Sequence, residues 1–254
     1  MKLATWNVNS LKVRLPHVLD WLAANQPDVL CLQETKQEDK DFPVTTLLDA
    51  GYQPLFAGQK TYNGVAILGK SSGIDVQIGI PGYADPQQRV LAATLDGIRV
   101  VCVYVPNGQN LDSDKYQYKL QWLQALTRWL QAELEQNPKL VLLGDYNIAP
   151  EDRDVYDPKA WEGQVLVSQP ERAAFVSLTA LGLRDAFRLF EQPEKSFSWW
   201  DYRMAAFRRN LGMRIDHILL SAPLAQQCTA CWIDKAPRKL MRPSDHTPVV
   251  VQVG

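Results

Sequence analysis

One stretch indicates how the chain folds: Leu140-Val141-Leu142-Leu143-Gly144-Asp145-Tyr146-Asn147-Ile148-Ala149-Pro150. Its four consecutive apolar residues are typical of a strand buried on both faces, and Pro150 is expected to end that strand. Gly144 would let the backbone pass close to a neighbouring segment. Asp145 and Asn147 follow at a spacing of two, which on an extended chain puts both side chains on one side. The stretch predicts either polar groups presented for chemistry or an Asx-rich turn closing a strand.

Composition limits the classes of protein that the chain can be. Its 254 residues are 46% hydrophobic and 22% charged, which is ordinary for a globular protein, and no apolar run approaches the length of a membrane span. The formal net charge of -1 argues against a protein that coats nucleic acid along its whole surface, although an acidic metal site could offset basic residues elsewhere. Four cysteines do not suggest a disulfide scaffold, and the first six residues read as a strand and not as a secretion signal, so we expect a cytoplasmic protein.

Strand patterns dominate the chain, and helical patterns lie between groups of strands. This order favours an α/β protein in which sheets pack together with helices outside. No linker or low-complexity run divides the chain, so residues 1–254 are expected to form a single domain. Strands are predicted at 3–8, 29–32, 74–80, 89–95, 99–105, 140–150, 214–220 and 249–253, with a hairpin at 52–68. Helices are predicted at about 15–22, 42–50, 116–136 and 171–181, and a long polar loop at 151–170.

Polar side chains follow most of the apolar runs. They are Asn7, Glu34, Tyr104, Asp145, Asn147, Asp216, Asp245 and His246. If the strand ends converge, these residues form a carboxylate-rich pocket with one imidazole, which suits a hard cation such as Mg²⁺ or Mn²⁺ better than zinc. A hard cation beside a carboxylate base and a histidine can hydrolyse a phosphodiester.

Seven short motifs occur in order across nearly the whole chain. They are Asn7-Val8-Asn9, Leu32-Gln33-Glu34-Thr35-Lys36, Asn63-Gly64-Val65-Ala66, Tyr104-Val105-Pro106-Asn107-Gly108, Gly144 to Pro150, Arg214-Ile215-Asp216 and Ser244-Asp245-His246. In this order they resemble the exonuclease III / AP endonuclease family, of the bacterial exodeoxyribonuclease III kind. The resemblance implies a four-layer αββα sandwich, in which two mixed β-sheets pack face to face with helices outside, and a Mg²⁺-dependent DNA repair nuclease in which Mn²⁺ could substitute.

The resemblance also implies roles for the strand-end residues. Asp145 would orient or deprotonate the attacking water, Asn147 and Tyr104 would stabilise the pentacoordinate phosphate, and Asp216 would fix the tautomer of His246. Which residue is the base stays open. The catalytic set is therefore Tyr104, Asp145, Asn147, Asp216 and His246, and the set around the metal is Asn7, Glu34, Asp145, Asn147, Asp245 and His246.

Substrate-binding positions follow from the same resemblance. They are Asn9, Lys36, Asn107, Trp199, Met213 and Ile215. Trp199, Met213 and Ile215 match positions that wall an abasic-sugar pocket, although Ile215 could equally be hydrophobic core. Leu166 falls near where relatives often have a small residue, so it could shift activity from internal abasic cleavage towards 3′-end processing.

Other polar residues admit two interpretations. Basic residues near the motif loops could contact phosphates or could be a solvated surface: Lys12, Arg14, Lys36, Lys60, Arg203, Arg208, Arg209 and Arg214. Cys228 and Cys231 have the spacing of a metal or redox pair, but no second pair accompanies them, and a strand is the expected context. His217 would point away from Asp216 on its strand and pack.

The expected function is a metal-dependent nuclease on duplex DNA with abasic sites, nicks or blocked 3′ ends. It would combine 3′-to-5′ exonuclease, 3′-end phosphodiesterase and AP endonuclease activities, act as a monomer and bind no membrane. One alternative is a phosphodiesterase on the same fold that cleaves a phosphoinositide, a lipid or an RNA. The other is a DNA-binding module without activity.

Overall fold

The computed structural model describes residues 1–254. The strands are β1 (Lys2–Asn7), β2 (Val29–Gln33), β3 (Gln53–Ala57), β4 (Val65–Gly69), β5 (Ile74–Ile78), β6 (Val90–Leu95), β7 (Ile98–Tyr104), β8 (Leu140–Asp145), β9 (Arg184–Asp185), β10 (Trp199–Trp200), β11 (Gly212–Met213), β12 (Asp216–Leu220), β13 (Cys228–Ile233) and β14 (Val249–Val253). The α-helices are α1 (Leu11–Asn25), α2 (Val44–Asp49), α3 (Asp114–Gln136), α4 (Pro158–Trp161), α5 (Gln169–Ala180), α6 (Ala206–Arg209) and α7 (Ala222–Gln226).

Two six-stranded sheets form the centre of the molecule. The first has the strand order β13-β14-β1-β2-β4-β3, and the second has the order β5-β6-β7-β8-β12-β9. Each sheet contains one parallel pair, β1 with β2 in the first and β7 with β8 in the second. All their other neighbouring strands are antiparallel. Both sheets are therefore mixed, as the resemblance implied.

Successive residues along a strand face opposite sides of the sheet, one side packing on the other sheet and the other side on helices, which gives four layers. In β8, Val141 and Leu143 lie in the core between the two sheets, whereas Leu140 and Leu142 pack on the opposite face against α3 and α5. The first sheet behaves in the same way: Leu3 of β1 faces the second sheet, and the neighbouring residues face α1 and α2. Because both faces of each sheet are covered at its centre, the central strands have nearly continuous apolar sequences. The αββα sandwich is confirmed.

The close approach predicted at Gly144 is present. A Cβ atom built there would lie 1.9 Å from the carbonyl oxygen of Val103 on β7. The expected end of the strand was wrong, because β8 stops at Asp145 and Asn147 has a left-handed backbone with φ of 49°. Asp145 and Asn147 are therefore brought together by a turn and not by an extended chain. The backbone N–H of Asn147 donates to Asp145 Oδ1 over 2.9 Å, so this segment is both an Asx turn and a site for polar groups.

Two further boundaries differ from the sequence-based expectation. The predicted polar loop at 151–170 contains a 3₁₀ turn at Asp152–Asp154 and helix α4, and α5 begins at Gln169 with a proline in its first turn. The strand predicted at 214–220 begins only at Asp216. None of the helices has both the length and the apolar character that crossing a bilayer requires.

Candidate active site

Strand register gathers the catalytic candidates at one rim of the two sheets. Asp145 at the end of β8 is paired with Tyr104 at the end of β7 and with Asp216 at the start of β12. In the first sheet Asn7 ends β1 beside Gln33, so Glu34 leaves β2 at the same rim. Convergence of these strand ends, which spacing alone could not establish, is therefore confirmed.

Three groups at this rim could hold a metal ion. One ligand atom each from Glu34, Asp145 and His246 lie within 4.8 Å of one another. The side chain of Asn7 connects the two carboxylates, because its Nδ2 donates to Glu34 Oε1 and to Asp145 Oδ2, both over 2.9 Å. The two acids are therefore held at a fixed separation.

Asp145 is a buried carboxylate in an environment that opposes its charge. Burial and the charge of Asp216 raise the pKa of Asp145, the charge of His246 and the hydrogen bonds from Asn7 and Asn147 oppose that rise, and the pKa is about 7 as the net result. A carboxyl group with a pKa near neutrality can accept a proton at physiological pH. A bound cation would also relieve the cost of its charge.

His246 is oriented by Asp216. Its Nδ1 lies 2.9 Å from Asp216 Oδ2, and its Nε2 lies 3.7 Å from Asp145 Oδ2. Burial alone would lower the pKa of His246, but the charges of Asp216 and Asp145 outweigh burial and raise the pKa to about 10. Because Asp216 accepts the hydrogen bond at Nδ1, Nε2 is left to face the pocket.

Tyr104 and Lys36 both contact Glu34. The Tyr104 hydroxyl donates to Glu34 Oε1 over 2.9 Å, and Lys36 Nζ lies 2.7 Å from Glu34 Oε2. Burial and the charges of Glu34 and Asp145 raise the pKa of Tyr104 well above its usual value, so the phenol stays protonated and can donate. The guanidinium of Arg89 lies over the Tyr104 ring at 4.6 Å from its centroid.

Asn107 and Asn147 form a pair beside Asp145. Asn107 Nδ2 donates to Asn147 Oδ1 over 3.1 Å, and Asn147 Nδ2 donates to the carbonyl of Val105 over 2.9 Å. The two amides come from the exits of β7 and β8. The hydrogen bond between the two side-chain amides fixes the orientation of each amide.

Asp245 lies in a separate group of contacts. Its Oδ1 accepts from Asn9 Nδ2 over 2.9 Å, and its Oδ2 accepts from Trp199 Nε1 over 3.0 Å. Asn9 in turn accepts from Lys36 Nζ over 2.6 Å, which links this group to Glu34. Asp245 is therefore connected to Glu34 through Asn9 and Lys36, and its place near the metal stays a prediction.

Trp199, Met213 and Ile215 lie in one apolar cluster together with Leu166. Met213 and Ile215 are buried, whereas Trp199 is half-buried, so Trp199 is the member of the trio that a ligand reaches. Leu166 is also buried and has a left-handed backbone, with φ of 78°. The neighbouring Trp200 packs against Phe207 in a different cluster and is core.

A polar cleft extends from the site on the side of Tyr104 and Asn107. Its walls include the basic residues Arg89 and Lys115 and the aromatic residues Tyr62 and Tyr118. Tyr62 is 67% exposed, so its ring is available for stacking. One predicted phosphate contact was wrong: Arg214 is buried and paired with Asp154 and Asp185, where no phosphate can reach it.

Two residues of the site were missed from the sequence. Ser198 donates its hydroxyl proton to Asp216 Oδ2 over 2.6 Å and thus supports the partner of His246. Lys119 has a fully buried side chain on α3 and contacts the backbone of Asn147. The sequence did contain a signal for Lys119: it is a lysine on the otherwise apolar face of α3, between Tyr116 and Leu123.

His217 packs as expected, in a buried network behind the site. Its Nε2 donates to the carbonyl of Ile148 over 2.8 Å, so its Nδ1 accepts from Arg214 over 3.0 Å. Burial and the positive charge of Arg214 lower the pKa of His217 to about 4. The network fixes one neutral tautomer, because a second ring proton would point at a guanidinium.

This lowered pKa predicts acid sensitivity. The unfolded chain takes up a proton at His217 below pH 6.5 and the folded chain only near pH 4, so the contribution of His217 to stability is greatest above pH 6.5 and is lost as the pH falls towards 4. His217→Gln keeps one acceptor and one donor but does not titrate. From urea unfolding at pH 7 and pH 4.5, we expect the parent to lose about 2–3 kcal/mol more than the variant. Equal losses would mean that His217 does not titrate in this way.

Comparisons with known proteins agree with this geometry. Residues 4–246 match the family model described as "Endonuclease/Exonuclease/phosphatase family". The chain is 35% identical to exodeoxyribonuclease III of Haemophilus influenzae over 98% of both chains. A solved structure of a 3′ phosphatase from Neisseria bound to a product DNA hairpin is 48% identical, with a TM-score of 0.99 over 100% of this chain and 99% of that one. An AP endonuclease from Archaeoglobus fulgidus is 40% identical, with a TM-score of 0.97 over the same shares.

Proposed function

Because this chain belongs to the endonuclease/exonuclease/phosphatase family, we propose that it is a Mg²⁺-dependent DNA repair nuclease that hydrolyses phosphodiester bonds in duplex DNA. The observation that carries the proposal is the convergence of Glu34, Asp145 and His246 within 4.8 Å at one rim of the sheets. Neighbouring amide and phenol donors give this rim what charge stabilisation at a phosphate requires.

The residues fit a hard cation. Glu34 and Asp145 supply carboxylate oxygens, and no thiol is among the three potential ligands, which suits Mg²⁺ with Mn²⁺ as a substitute. Glu34 and Asp145 would hold the ion, with the amide of Asn7 fixing their separation. Bound there, the ion would supply Lewis-acid polarisation of a phosphoryl oxygen.

Asp145 is the proposed proton acceptor for the attacking water. Its raised pKa matches that task, and its orientation is fixed by the amide of Asn7 and the backbone N–H of Asn147. Because both carboxylate oxygens accept a hydrogen bond, the side chain has little freedom to rotate. A water beside Asp145 Oδ2 would also face Nε2 of His246.

Donors surround the position expected for the phosphate. His246, kept protonated by Asp216, can donate from Nε2 to a non-bridging oxygen. Without substrate the Tyr104 hydroxyl donates to Glu34, and Asn147 Nδ2 donates to the carbonyl of Val105. With substrate bound, the Tyr104 hydroxyl would turn from Glu34 to the phosphate and the second N–H of Asn147 Nδ2 would donate to it, which stabilises the charge that develops in the pentacoordinate state. A protonated imidazole does not coordinate a metal ion, so we assign His246 to the phosphate and leave the ion to Glu34 and Asp145.

Duplex DNA is the proposed partner. The cleft beside Tyr104 supplies the cations of Arg89 and Lys115 for the backbone and the exposed ring of Tyr62 for an unpaired base. The Neisseria relative is a 3′ phosphatase bound to a DNA hairpin, which supports a substrate with a 3′ end. The alternative substrates include a phosphoinositide or another lipid. Most residues that line this cleft are polar, which does not favour a lipid tail.

The packing of Leu166 favours 3′-end processing over internal abasic cleavage. A pocket for an extruded abasic sugar would need apolar space beside Trp199, and Leu166 lies in the cluster with Met213 and Ile215 that would wall it. We therefore propose 3′-to-5′ exonuclease and 3′-phosphodiesterase action as the main activities, with weaker AP endonuclease activity.

Leu166→Gly tests this assignment. Glycine removes the side chain and also tolerates the left-handed backbone at this position, so the loop can keep its conformation. We expect the ratio of abasic-duplex cleavage to 3′-phosphate removal to rise about tenfold. Val167→Ala, a deletion in the same cluster, is the matched control and should leave the ratio unchanged. Equal ratios for Leu166→Gly and the parent would show that Leu166 does not set the balance between the two activities.

The proposal also covers domain organisation, oligomeric state and cellular compartment. Residues 1–254 would form one catalytic domain, because β1 lies between β2 and β14 and joins both ends of the chain in one sheet. The protein would act as a monomer, since all groups of the site come from one chain. It would work in the cytoplasm, a compartment that suits its four free cysteines.

One assay separates the proposal from its rivals. The parent is incubated with duplexes that carry a recessed 3′ end, a 3′-phosphate or an internal abasic analogue, with Mg²⁺ or with chelator, and in parallel with a soluble inositol phosphate. We expect Mg²⁺-dependent turnover of the DNA substrates alone. Turnover of the inositol phosphate only, or tight duplex binding without any cleavage, would contradict the proposal.

A further inference from the structure

Lys119 on α3 is a buried cation that no step of the proposed reaction uses. Its side chain has no exposure to solvent, and neither has that of Glu171 on α5, with which it forms an ion pair. Keeping two charges out of water is costly unless their remaining bonds are satisfied. A lysine ammonium has three donors, and this one has three acceptors.

Two of the acceptors belong to the active site. Lys119 Nζ donates to the carbonyl of Asn147 over 2.6 Å and to the carbonyl of Asn107 over 3.1 Å. These residues follow β8 and β7, and their side chains bond to each other over 3.1 Å. One buried ammonium thus holds together the backbones of the two loops that carry the paired amides of Asn107 and Asn147.

The third acceptor extends the connection to the loop that carries Leu166. Glu171 Oε1 accepts the backbone N–H of Leu166 over 3.0 Å, and Glu171 Oε2 accepts that of Ser168 over 3.1 Å. The carbonyl of Leu166 accepts from the N–H of Ala149, which returns to the loop after β8. Lys119 and Glu171 therefore join three loops around the site.

We propose that Lys119 is a positioning residue: its ammonium fixes the backbone of Asn107 and Asn147, with Glu171 holding the Leu166 loop against them. The inference rests on the proposed nuclease function, because it treats Asn147 as a phosphate donor. Removing the ammonium frees two carbonyls and lets both amides move, and displacements of about 1 Å near reacting atoms can cost on the order of 100-fold in rate.

Three variants separate positioning from stability. Lys119→Met removes the donors and leaves Glu171 charged and unpaired, so it should lower both Tm and kcat. Lys119→Met with Glu171→Gln removes the unpaired charge as well, so Tm should recover while the donors stay absent. Arg99→Met is the matched control, because Arg99 is buried, donates to Glu133 over 2.7 Å and joins the same strand and helix at their other end.

Steady-state cleavage of a 3′-phosphate duplex and hydrogen exchange of residues 105–110 and 145–150 are the two measurements. We expect kcat to fall about 10–100-fold in both Lys119 variants, with KM within about threefold, and exchange of these segments to rise in both. Arg99→Met should leave kcat and this exchange unchanged.

Recovery of kcat together with Tm in the double variant would reduce Lys119 to a structural role and overturn the inference. Unchanged exchange at 105–110 and 145–150 would overturn it as well, whether or not the protein cleaves DNA. A parent that cleaves no DNA would instead contradict the proposed function, and the exchange measurement would then decide the positioning alone.

Discussion

Asp145→Asn is expected to lower kcat on a 3′-blocked duplex by about 10³-fold or more, while the protein stays folded. The substitution keeps the shape of the side chain but removes the proton acceptor and one potential ligand of the cation. General-base catalysis contributes about 10²–10⁴-fold in enzymes, and a weakened metal site adds to the loss. Single-turnover kinetics at saturating Mg²⁺ measure the change.

Stability provides the internal control for this variant. Burial raises the pKa of Asp145, so its charge disfavours the folded state at neutral pH, and the neutral amide should give a Tm at least equal to that of the parent in chelator. Asp234→Asn alters a carboxylate whose hydrogen-bond partners are Trp21 and the backbone N–H of Ala236 and that is not among the potential ligands, so it should leave kcat unchanged. An Asp145→Asn protein that keeps a tenth of the parent kcat would exclude Asp145 as the base.

Asp216→Asn is expected to lower kcat by about 10²–10⁴-fold. Asp216 accepts from His246 and from Ser198, and an amide in its place can present a donor to Nδ1, which favours the wrong tautomer of the imidazole. Losing the charge of Asp216 also lowers the pKa of His246, so the imidazole loses its proton at a lower pH.

The pH–rate profile distinguishes this effect from a loss of structure. The basic limb of kcat/KM should move to lower pH in Asp216→Asn, because protonated His246 is the form that donates to the phosphate. Ser198→Ala removes a supporting hydrogen bond without removing charge, so it should shift the same limb less. A profile of unchanged shape, merely scaled down, would argue against the role given to His246.

Local sequence patterns predicted the strands well because burial on both faces leaves a clear apolar signature. The run Leu140–Leu143 and the polar residue after it were enough to place β8 and the exit of Asp145. The pattern could not place Asn147, whose left-handed backbone depends on the turn that Asp145 itself caps. Residue propensity offered an Asx turn as one alternative, but it could not choose between that turn and an extended chain.

Long-range contacts explain most of what the sequence did not reveal. Glu34 and His246 are 212 positions apart, and only the order of the seven motifs, through a resemblance, suggested that they meet. Arg214 was counted among the possible phosphate contacts because nothing local marks it as buried between Asp154 and Asp185. Lys119 was missed for a similar reason: its acceptors lie on the loops after β7 and β8 and on α5, and no local pattern shows that these meet α3.

The central claim is that Glu34 and Asp145 bind a divalent ion at this rim. Calorimetric titration of Mn²⁺ into the parent, into Glu34→Gln and into Glu38→Gln tests it most directly, since Glu38 is a half-buried neighbour that forms an ion pair only with Lys40. We expect the parent and Glu38→Gln to bind with equal affinity and Glu34→Gln to bind at least about tenfold more weakly. Equal binding by all three proteins would contradict the account.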